Sequence, residues 1–298
     1  MYYKKGIRFD LWTFVGLISV LFFGIFLVIP VARMIIYAFH TADGAVFAID
    51  NFIKFFKSHQ FTRVVGNTLT ISLYSLFAGF PIPIIFALIL NSIYSERFKK
   101  ITQTITYMPH FISTVVLVGM ILQIINPRVG LYGNIYSHFH NGQFPSDLLA
   151  NPNFFPHIYV WSGIWQTFGW NSIIYTAALS SVSMELHEAA QIDGASRFQR
   201  VLHVDLPSIM PTAIIMLIMR CGHIMSVGFE KVYLLQNDLN LSKSDLISTY
   251  VYKIGLSTKG SMDFSYSTAI GLFNSVINLI LIALVNSISK RVSETSLW

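Results

Sequence analysis

The chain has 298 residues, of which 54% are hydrophobic and only 11% are charged. A soluble core of ordinary proportions could not bury that many apolar side chains, so the composition excludes a typical soluble protein and places the chain in a bilayer. The formal net charge of +6 does not indicate nucleic-acid binding, because the basic residues cluster at the ends of apolar runs and no aromatic-plus-basic stripe accompanies them.

Six apolar runs are long enough to cross a bilayer, since a spanning helix needs about 20 predominantly apolar residues. The first run exceeds the apolar core of a cleaved signal peptide, about 7–15 residues, so we expect it to remain in the mature protein. The sequence therefore predicts an all-α polytopic membrane protein with a single transmembrane domain over 1–298. The predicted spans are about 11–32, 64–92, 103–126, 156–181, 206–229 and 264–289.

Proline and glycine interrupt three of these runs. Pro81 and Pro83 lie in the second, Pro109 in the third, and Gly163 and Gly169 in the fourth. Broken helices at membrane depth often line transport paths, where protein or water satisfies the freed backbone groups. Simple kinking for helix packing explains such breaks equally well. For Pro109 we favour a kink that lines a path.

Polar side chains recur in the fourth and sixth runs. Asn171 and Tyr175 are four residues apart, as are Asn274 and Asn278, so each pair shares a helix face. Gln166 lies nearby in the fourth run. Amide groups there can bind sugar hydroxyls, or they can hydrogen-bond between membrane helices. Both interpretations remain open.

Arg220 lies inside the fifth run. A charged side chain at the centre of a bilayer costs at least about 2.5 kcal/mol on insertion scales, so Arg220 must face protein, water or a partner. Glu230 is too far along the same helix to pair with it directly. An ion pair with a neighbouring subunit and contact with a substrate are the two interpretations of Arg220.

A short polar segment, 182–207, separates the fourth and fifth runs. Good helix formers fill 184–191, Gly194 can stop a helix, and a second helix can begin at Ser196. Pro207 predicts that this second short helix ends there and that the fifth span begins. The pattern predicts a rigid helix-turn-helix that faces water.

Lysine and arginine placement predicts the orientation, because positive loops tend to stay in the cytoplasm. With six spans both termini lie on one side. We expect the termini and the segment 182–207 to be cytoplasmic. Ten basic residues share that side, namely Lys4, Lys5, Arg8, Arg97, Lys99, Lys100, Arg197, Arg200, Lys290 and Arg291; seven share the other, namely Lys54, Lys57, Arg63, Arg128, Lys243, Lys253 and Lys259.

The segment 182–207 resembles the signature loop of permease subunits of bacterial binding-protein-dependent ABC importers. The family pattern is Glu-Ala-Ala, three residues, Gly, nine residues and Ile-x-Leu-Pro. Here Glu188, Ala189 and Ala190 precede Gly194 at that spacing, and Val204 stands where Ile is usual. The matching residues assigned to contact with the ATPase are Glu188, Ala189, Ala190, Asp193, Gly194, Ala195, Leu206 and Pro207.

Further segments are similar to the carbohydrate-uptake, maltose-permease-like permeases, and most to the oligosaccharide and aldouronate branch. They are 108–113, 228–231, 249–252 with 255–256, and 295–298. The resemblance implies the type I ABC importer permease fold and a carbohydrate, specifically an oligosaccharide, as cargo. The candidates for the substrate path are Pro109, Gln166, Asn171, Tyr175, Arg220 and Asn274.

Membership of this family also implies partners. They are a second permease, which makes a heterodimer, two ATP-binding subunits and an extracellular solute-binding protein, in a bacterial cell membrane. ATP and Mg would bind on the ATPase subunits, so we expect no cofactor in this chain. The alternatives are a permease for another solute and a self-sufficient six-span channel or secondary transporter.

Enzyme signatures are weak. His187-Glu188-Ala189-Ala190-Gln191 is one substitution from a zinc-protease motif, but Gln191 cannot replace the second imidazole as a normal zinc ligand. No Gly-x-x-x-x-Gly-Lys-Ser/Thr loop is present to bind ATP phosphates. The single cysteine, Cys221, offers no four-cysteine zinc site. We therefore expect no catalytic residue and no metal site.

Overall fold

A computed structural model describes residues 11–40, 48–256, 262–293 and 296, and within these ranges every regular element is helical. Lys4, Lys5, Arg8, Lys259, Thr295, Leu297 and Trp298, on which some sequence predictions rest, lie outside the described residues. The α-helices are α1 Leu11–Phe23, α2 Ile29–Ala38, α3 Asp50–Lys57, α4 His59–Gly79, α5 Pro81–Asn91, α6 Glu96–Tyr107, α7 Thr114–Ile125, α8 Leu131–Phe139, α9 Phe155–Ser180, α10 Met184–Ile192, α11 Arg197–Arg200, α12 Leu206–Cys221, α13 Phe229–Leu235, α14 Leu241–Ser244, α15 Ile247–Gly255 and α16 Phe264–Ser293.

Four helical stretches in the described residues have the length and composition to cross a membrane. They are Phe14–Ala38, His59–Asn91, Arg197–Cys221 and Phe264–Arg291. A fifth candidate is the pair α6 and α7, which bend by 100° at a short break. Helix α9 coincides with the predicted fourth span but is not among these apolar stretches. The predicted count of six therefore stays a prediction.

The predicted third span is not one straight helix. A 3-10 turn, Met108–Phe111, separates α6 from α7. Pro109 lies at the start of that turn, and the Ser113 hydroxyl accepts a hydrogen bond from the Val116 N–H to begin the next helix. A proline and a side-chain cap together explain the sharp break, because one interrupts the backbone hydrogen bonds and the other restarts them.

The fifth span differs from its prediction at both ends. The second short helix does not end at Pro207, because a π turn, Val201–Asp205, joins α11 to α12. The Leu206 N–H bonds to the Val201 carbonyl five residues back, so the helix widens and continues just before the proline. At the other end α12 stops at Cys221, before the predicted end of the span at 229. Beyond it, the Met225 N–H donates a hydrogen bond to Asn278 Oδ1 at 3.0 Å.

The described chain divides into two compact units, of which the larger comprises His59–Tyr250 and Asn274–Trp298. Helix α9 packs against α4, α5, α6 and α12 within this unit. One buried cluster includes Ile71, Phe155 and Val232. A second includes Leu88 and Ile209. Helix α9 is thus the central helix of the larger unit.

The smaller unit comprises Met1–Ser58 and Val251–Phe273. Phe55 is fully buried in it and lies 5.5 Å, ring to ring, from Phe273. The Asn51 side chain donates to the His40 carbonyl at 2.7 Å. In contrast, the stretch Phe14–Ala38 buries none of its most apolar window against the protein. Such a helix, apolar on every side and uncovered by protein, has the surface expected of a helix in lipid.

Candidate functional site

The first part of loop 182–207 is shaped by contacts between residues close in the sequence. Helix α10 begins at a cap, where the Ser183 hydroxyl accepts from the Glu185 N–H at 3.2 Å. It ends in a Schellman motif, in which Ala195 N–H bonds to the Ala190 carbonyl at 2.9 Å and Gly194 N–H to the Gln191 carbonyl at 3.0 Å. Gly194 has φ +81°, a left-handed conformation that favours glycine.

The second part of the loop restarts just after the turn. Ser196 and Gln199 form a capping box, in which each side chain bonds the backbone N–H of the other residue, at 3.3 and 2.7 Å. Two helices and a defined turn result, as the sequence predicts. The caps make the turn stiff, because they satisfy N–H and C=O groups that would otherwise fray.

The loop presents an exposed apolar surface among its polar residues. Ile192 is 87% exposed and Phe198 71% exposed. Glu188, Asp193 and Gly194 are exposed as well. Large exposed apolar side chains rimmed by polar ones are typical of a surface that docks another protein.

A buried carboxylate anchors the loop to the adjoining helices. Asp205 is only 3% exposed. Its Oδ1 lies 3.3 Å from His187 Nε2 of α10 and accepts a hydrogen bond from the Asn91 side chain of α5 at 3.3 Å. Sequence reasoning missed this cluster, although an aspartate next to an apolar run and two residues before Pro207 could have drawn attention. Asp205 therefore couples the orientation of α10 to α5 and α12.

A cavity of about 470 Å³ lies beside α9 within the larger unit. Helices α4, α7, α9, α12 and α13 all contribute to its wall. A smaller cavity of about 190 Å³ adjoins it and shares Ser75, Tyr159, Arg220 and Gly228. Hydroxyl and amide groups from Ser75, Thr114, Gln166 and Thr167 line the larger cavity. The lining can therefore hydrogen-bond a polar ligand.

Two basic side chains face the cavity. Arg220 is half-buried, and its guanidinium carbon lies 5.8 Å from the centre of the Phe80 ring. Lys231 is 8% exposed and donates to the Tyr159 carbonyl at 2.9 Å. Burial lowers the pKa of Lys231, in α13 beyond the end of α12, to about 8. Sequence reasoning named Arg220 but missed Lys231, which only tertiary packing buries.

Besides Arg220, two more of the predicted path residues belong to this region. Gln166 lines the cavity, and its amide donates to the Ile112 carbonyl at 2.9 Å. That bond connects α9 to the break between α6 and α7. Pro109 lies in the same break, next to His110, whose ring stacks on Trp170 with 4.5 Å between centroids. Both hypotheses for Gln166, path lining and bonding between helices, therefore have a structural counterpart.

The other predicted path residues lie elsewhere. Tyr175 is 3% exposed and belongs to the second buried cluster of the larger unit. Asn171 is half-buried and lines neither of the two adjoining cavities. Asn274 is also half-buried, and its Oδ1 has no hydrogen-bond partner among the described residues. None of these three lines the two adjoining cavities, although Tyr175 lies near enough to Arg220 to interact with its charge.

Metal ligation finds no support in the ranges that the structure describes, where no three His, Cys, Asp or Glu side chains come together. His187, the residue of the near-miss zinc motif, contacts Asp205 instead.

Comparison with known proteins places the chain in a class. Residues 79–294 match the family of binding-protein-dependent transport system inner membrane components. The match covers more than half of the chain, so the chain belongs to this family and is embedded in a membrane. The sequence-based identification of the family is confirmed.

Individual relatives cover nearly the whole chain. It is 36% identical to protein LplB of Bacillus subtilis (strain 168), over 99% of this chain and 94% of that protein. It is also 36% identical to the polygalacturonan/rhamnogalacturonan transport system permease protein YteP of the same organism, over 84% and 76%. A solved bacterial alginate ABC transporter, in complex with an alginate pentasaccharide-bound periplasmic protein, contains a chain that is 38% identical, with 96% of each chain covered and a TM-score of 0.88. The predicted ABC importer permease fold is thereby confirmed.

Proposed function

We propose that this chain is the permease subunit of an ATP-driven carbohydrate importer and forms half of its translocation path. Loop 182–207 carries the proposal: it combines the residues of the signature with a stiff, capped turn that exposes Ile192 and Phe198. The names of two relatives, which refer to polygalacturonan or rhamnogalacturonan transport and to alginate, support a saccharide as cargo. We propose an oligosaccharide, of which the alginate pentasaccharide named with the solved transporter is an example.

The chain works with subunits that supply the energy. Two ATP-binding subunits bind ATP and Mg, and this chain is non-catalytic. Closure of the ATPase pair moves loop 182–207, and the bond between Asp205 and His187 passes that movement to α12 and α5. A stiff loop suits this task because a flexible one would absorb the displacement. Glu188, Ala189, Ala190, Asp193, Gly194, Ala195, Leu206 and Pro207 form or support the contact.

The remaining components follow from the family. A second permease supplies the other half of the path, and an extracellular solute-binding protein delivers the cargo. The chain crosses a bacterial cell membrane several times, with loop 182–207 and both termini in the cytoplasm. Arg220 and Gln166 line the path at the cavity beside α9, and Pro109 lies in the helix break that Gln166 bonds to. We retain Asn171, Tyr175 and Asn274 as weaker path candidates.

Co-purification tests the proposal directly. The chain is extracted from its membrane in mild detergent, and the proteins that accompany it are identified by mass spectrometry. We expect a second permease and an ATPase in stoichiometric amounts. The complex in liposomes, supplied with the binding protein, should take up labelled oligosaccharide only with ATP. Uptake by the isolated chain without nucleotide would instead identify a self-sufficient channel or secondary transporter, and ATP-driven uptake of a non-sugar solute would identify a different importer.

A further inference from the structure

We propose that the cavity beside α9 binds an acidic group of the transported sugar, and that Arg220 and Lys231 recognise it. The proposal rests on the importer function above and specifies the chemistry of its cargo. The cavity wall brings together two basic side chains from different helices, α12 and α13. The ligand chemistry that suits them is an oxyanion on a sugar, above all the carboxylate of a uronic acid.

Neither cation has an acidic partner among the described residues. The salt bridges found there are Lys54 with Asp263, Arg63 with Asp245, Lys99 with Glu96 and His187 with Asp205. Glu230 also lines the cavity, but its side chain is exposed and makes no salt bridge in this part of the chain. The cavity therefore holds two positive charges against one solvated negative charge.

Hydrogen-bonding capacity remains on both side chains. The Lys231 ammonium has three N–H donors, of which one bonds to the Tyr159 carbonyl. The Arg220 guanidinium has five N–H donors, and its carbon lies 5.8 Å from the centre of the Phe80 ring. Donors on a buried cation are costly to leave unpaired, so a carboxylate that entered the cavity would offset that cost.

Two glycines, Gly163 of α9 and Gly79 of α4, lie next to the two cationic groups. A Cβ added at Gly163 would lie 3.2 Å from Lys231 Nζ. A Cβ added at Gly79 would lie 3.7 Å from an Arg220 guanidinium nitrogen and 3.4 Å from Ile164, the residue after Gly163. Lys231 therefore lies beside residue 163 of α9, and Arg220 lies beside the glycine of α4 that faces residue 164, in the wall of the same cavity.

The remainder of the cavity suits the neutral part of a sugar. Its volume of about 470 Å³ lies within the range of about 300–1,000 Å³ for small-molecule sites. Thr114 and Gln166 offer polar groups to sugar hydroxyls. The lowered pKa of Lys231 is also what burial without a neighbouring anion produces.

The test measures discrimination between acidic and neutral cargo. The complete transporter with its binding protein is reconstituted in liposomes. Uptake is compared for a panel of uronic-acid oligosaccharides, including oligogalacturonate and alginate oligomers, and for the same oligomers with each carboxyl reduced to an alcohol. Oligosaccharide phosphates form a third arm, which distinguishes a phosphate site from a carboxylate site. The binding protein is identical in every assay, so a change in the acid-to-neutral ratio between variants reports the permease.

Arg220→Gln and Lys231→Gln should each lower the acid-to-neutral uptake ratio by roughly tenfold, as expected for loss of a charge-assisted hydrogen bond. Arg220→Lys and Lys231→Arg should restore most of the ratio, which separates loss of charge from misfolding. Lys243→Gln is the matched control, because Lys243 is exposed on α14 and does not line the cavity. It should leave the ratio unchanged.

Three results would overturn the proposal. The glutamine variants could lower acidic and neutral uptake equally, wild type could import only neutral oligomers, or phosphate oligomers alone could show the charge-dependent change. In each of these cases ATP-driven saccharide uptake persists, so the importer function stands. If wild type imports no saccharide with ATP, the importer function fails, and the acidic-sugar site fails with it.

Discussion

Loop 182–207 and the cavity beside α9 differ in how far apart in the sequence their contacting residues lie. The loop is held by bonds such as Ala195 to Ala190 and Ser196 to Gln199. The cavity is held by bonds such as Lys231 to Tyr159, which are 72 residues apart. Because its contacts are local, the loop can move as one stiff body. The shape of the cavity, in contrast, changes whenever the helices that line it shift relative to one another.

Substitution of Gly194 should have the largest effect on transport. Valine at φ +81° is strained by roughly 1–3 kcal/mol, so Gly194→Val should distort the turn and abolish nearly all ATP-driven uptake. Gly142 is a matched control, because it has φ +83° and no atom within 4 Å of an added Cβ, as Gly194 does. Gly142→Val should insert normally and keep uptake. Equal losses in both variants would contradict a specific role for the loop.

A close contact between α9 and α6 allows a test of helix packing in the larger unit. A Cβ at Gly169 would lie 2.6 Å from the Thr106 carbonyl carbon. Gly169→Ala should therefore push α6 away from α9 and destabilise the fold by about 1–3 kcal/mol. Thermal unfolding in detergent measures this as a lower midpoint. Gly66→Ala, in α4 with open space around it, should leave the midpoint unchanged or raise it, and a similar drop there would contradict the packing argument.

The Asp205 cluster links loop 182–207 to α5 and α12. Its removal should therefore weaken the coupling between ATP hydrolysis and transport without unfolding the loop or the cavity. Asp205→Asn and His187→Ala should each reduce substrate-stimulated ATP hydrolysis severalfold. A double-mutant cycle should show an interaction energy of about 0.5–3 kcal/mol between them, because the two side chains are in contact. Additive effects in that cycle would show that the contact does not transmit the movement of the loop.

Among these predictions, the pH dependence of uptake should show the smallest effect. It tests whether the charge of Lys231 contributes to uptake through the cavity. Lys231 is charged below its pKa of about 8 and neutral above it. Uptake of an acidic oligosaccharide should therefore fall as the pH rises from 7 to 9, where about a tenth of a group with that pKa stays charged. Tyr159, Arg220 and Glu230 are the other titratable groups facing this cavity.

Two comparisons isolate the contribution of Lys231 to that pH profile. Uptake of the carboxyl-reduced oligomer corrects for effects of pH on the ATPase. Lys231→Arg keeps its charge over this range and should flatten the profile. An equally steep fall in Lys231→Arg would assign the dependence to another group.

Several elements could be predicted because their causes are local. Glu188 to Pro207 carry helix formers, caps and a glycine whose effects extend over a few residues, and the structure places two helices and a turn there. Pro109 predicted a break and lies in one. The continuation of the helix past Pro207 was missed, since a π turn depends on how α12 packs.

The candidate path shows where prediction from residue types ends. Asn171, Tyr175 and Gln166 lie on one helix, yet only Gln166 reaches the larger cavity and Tyr175 is buried in the hydrophobic core. Helical periodicity states which residues share a face, but it does not state what that face meets. Lys231 was overlooked for the same reason, because its burial depends on α9.

The amino-acid sequence alone determined that the chain is a helical membrane protein and that it turns at Gly194. Composition and apolar run length decide the first, and capping over a few residues decides the second. Tertiary structure decided which polar groups meet. Arg220 and Lys231 come from different helices, α12 and α13, and they face one cavity beside α9. Their proximity depends on the packing of whole helices, which short sequence patterns do not specify.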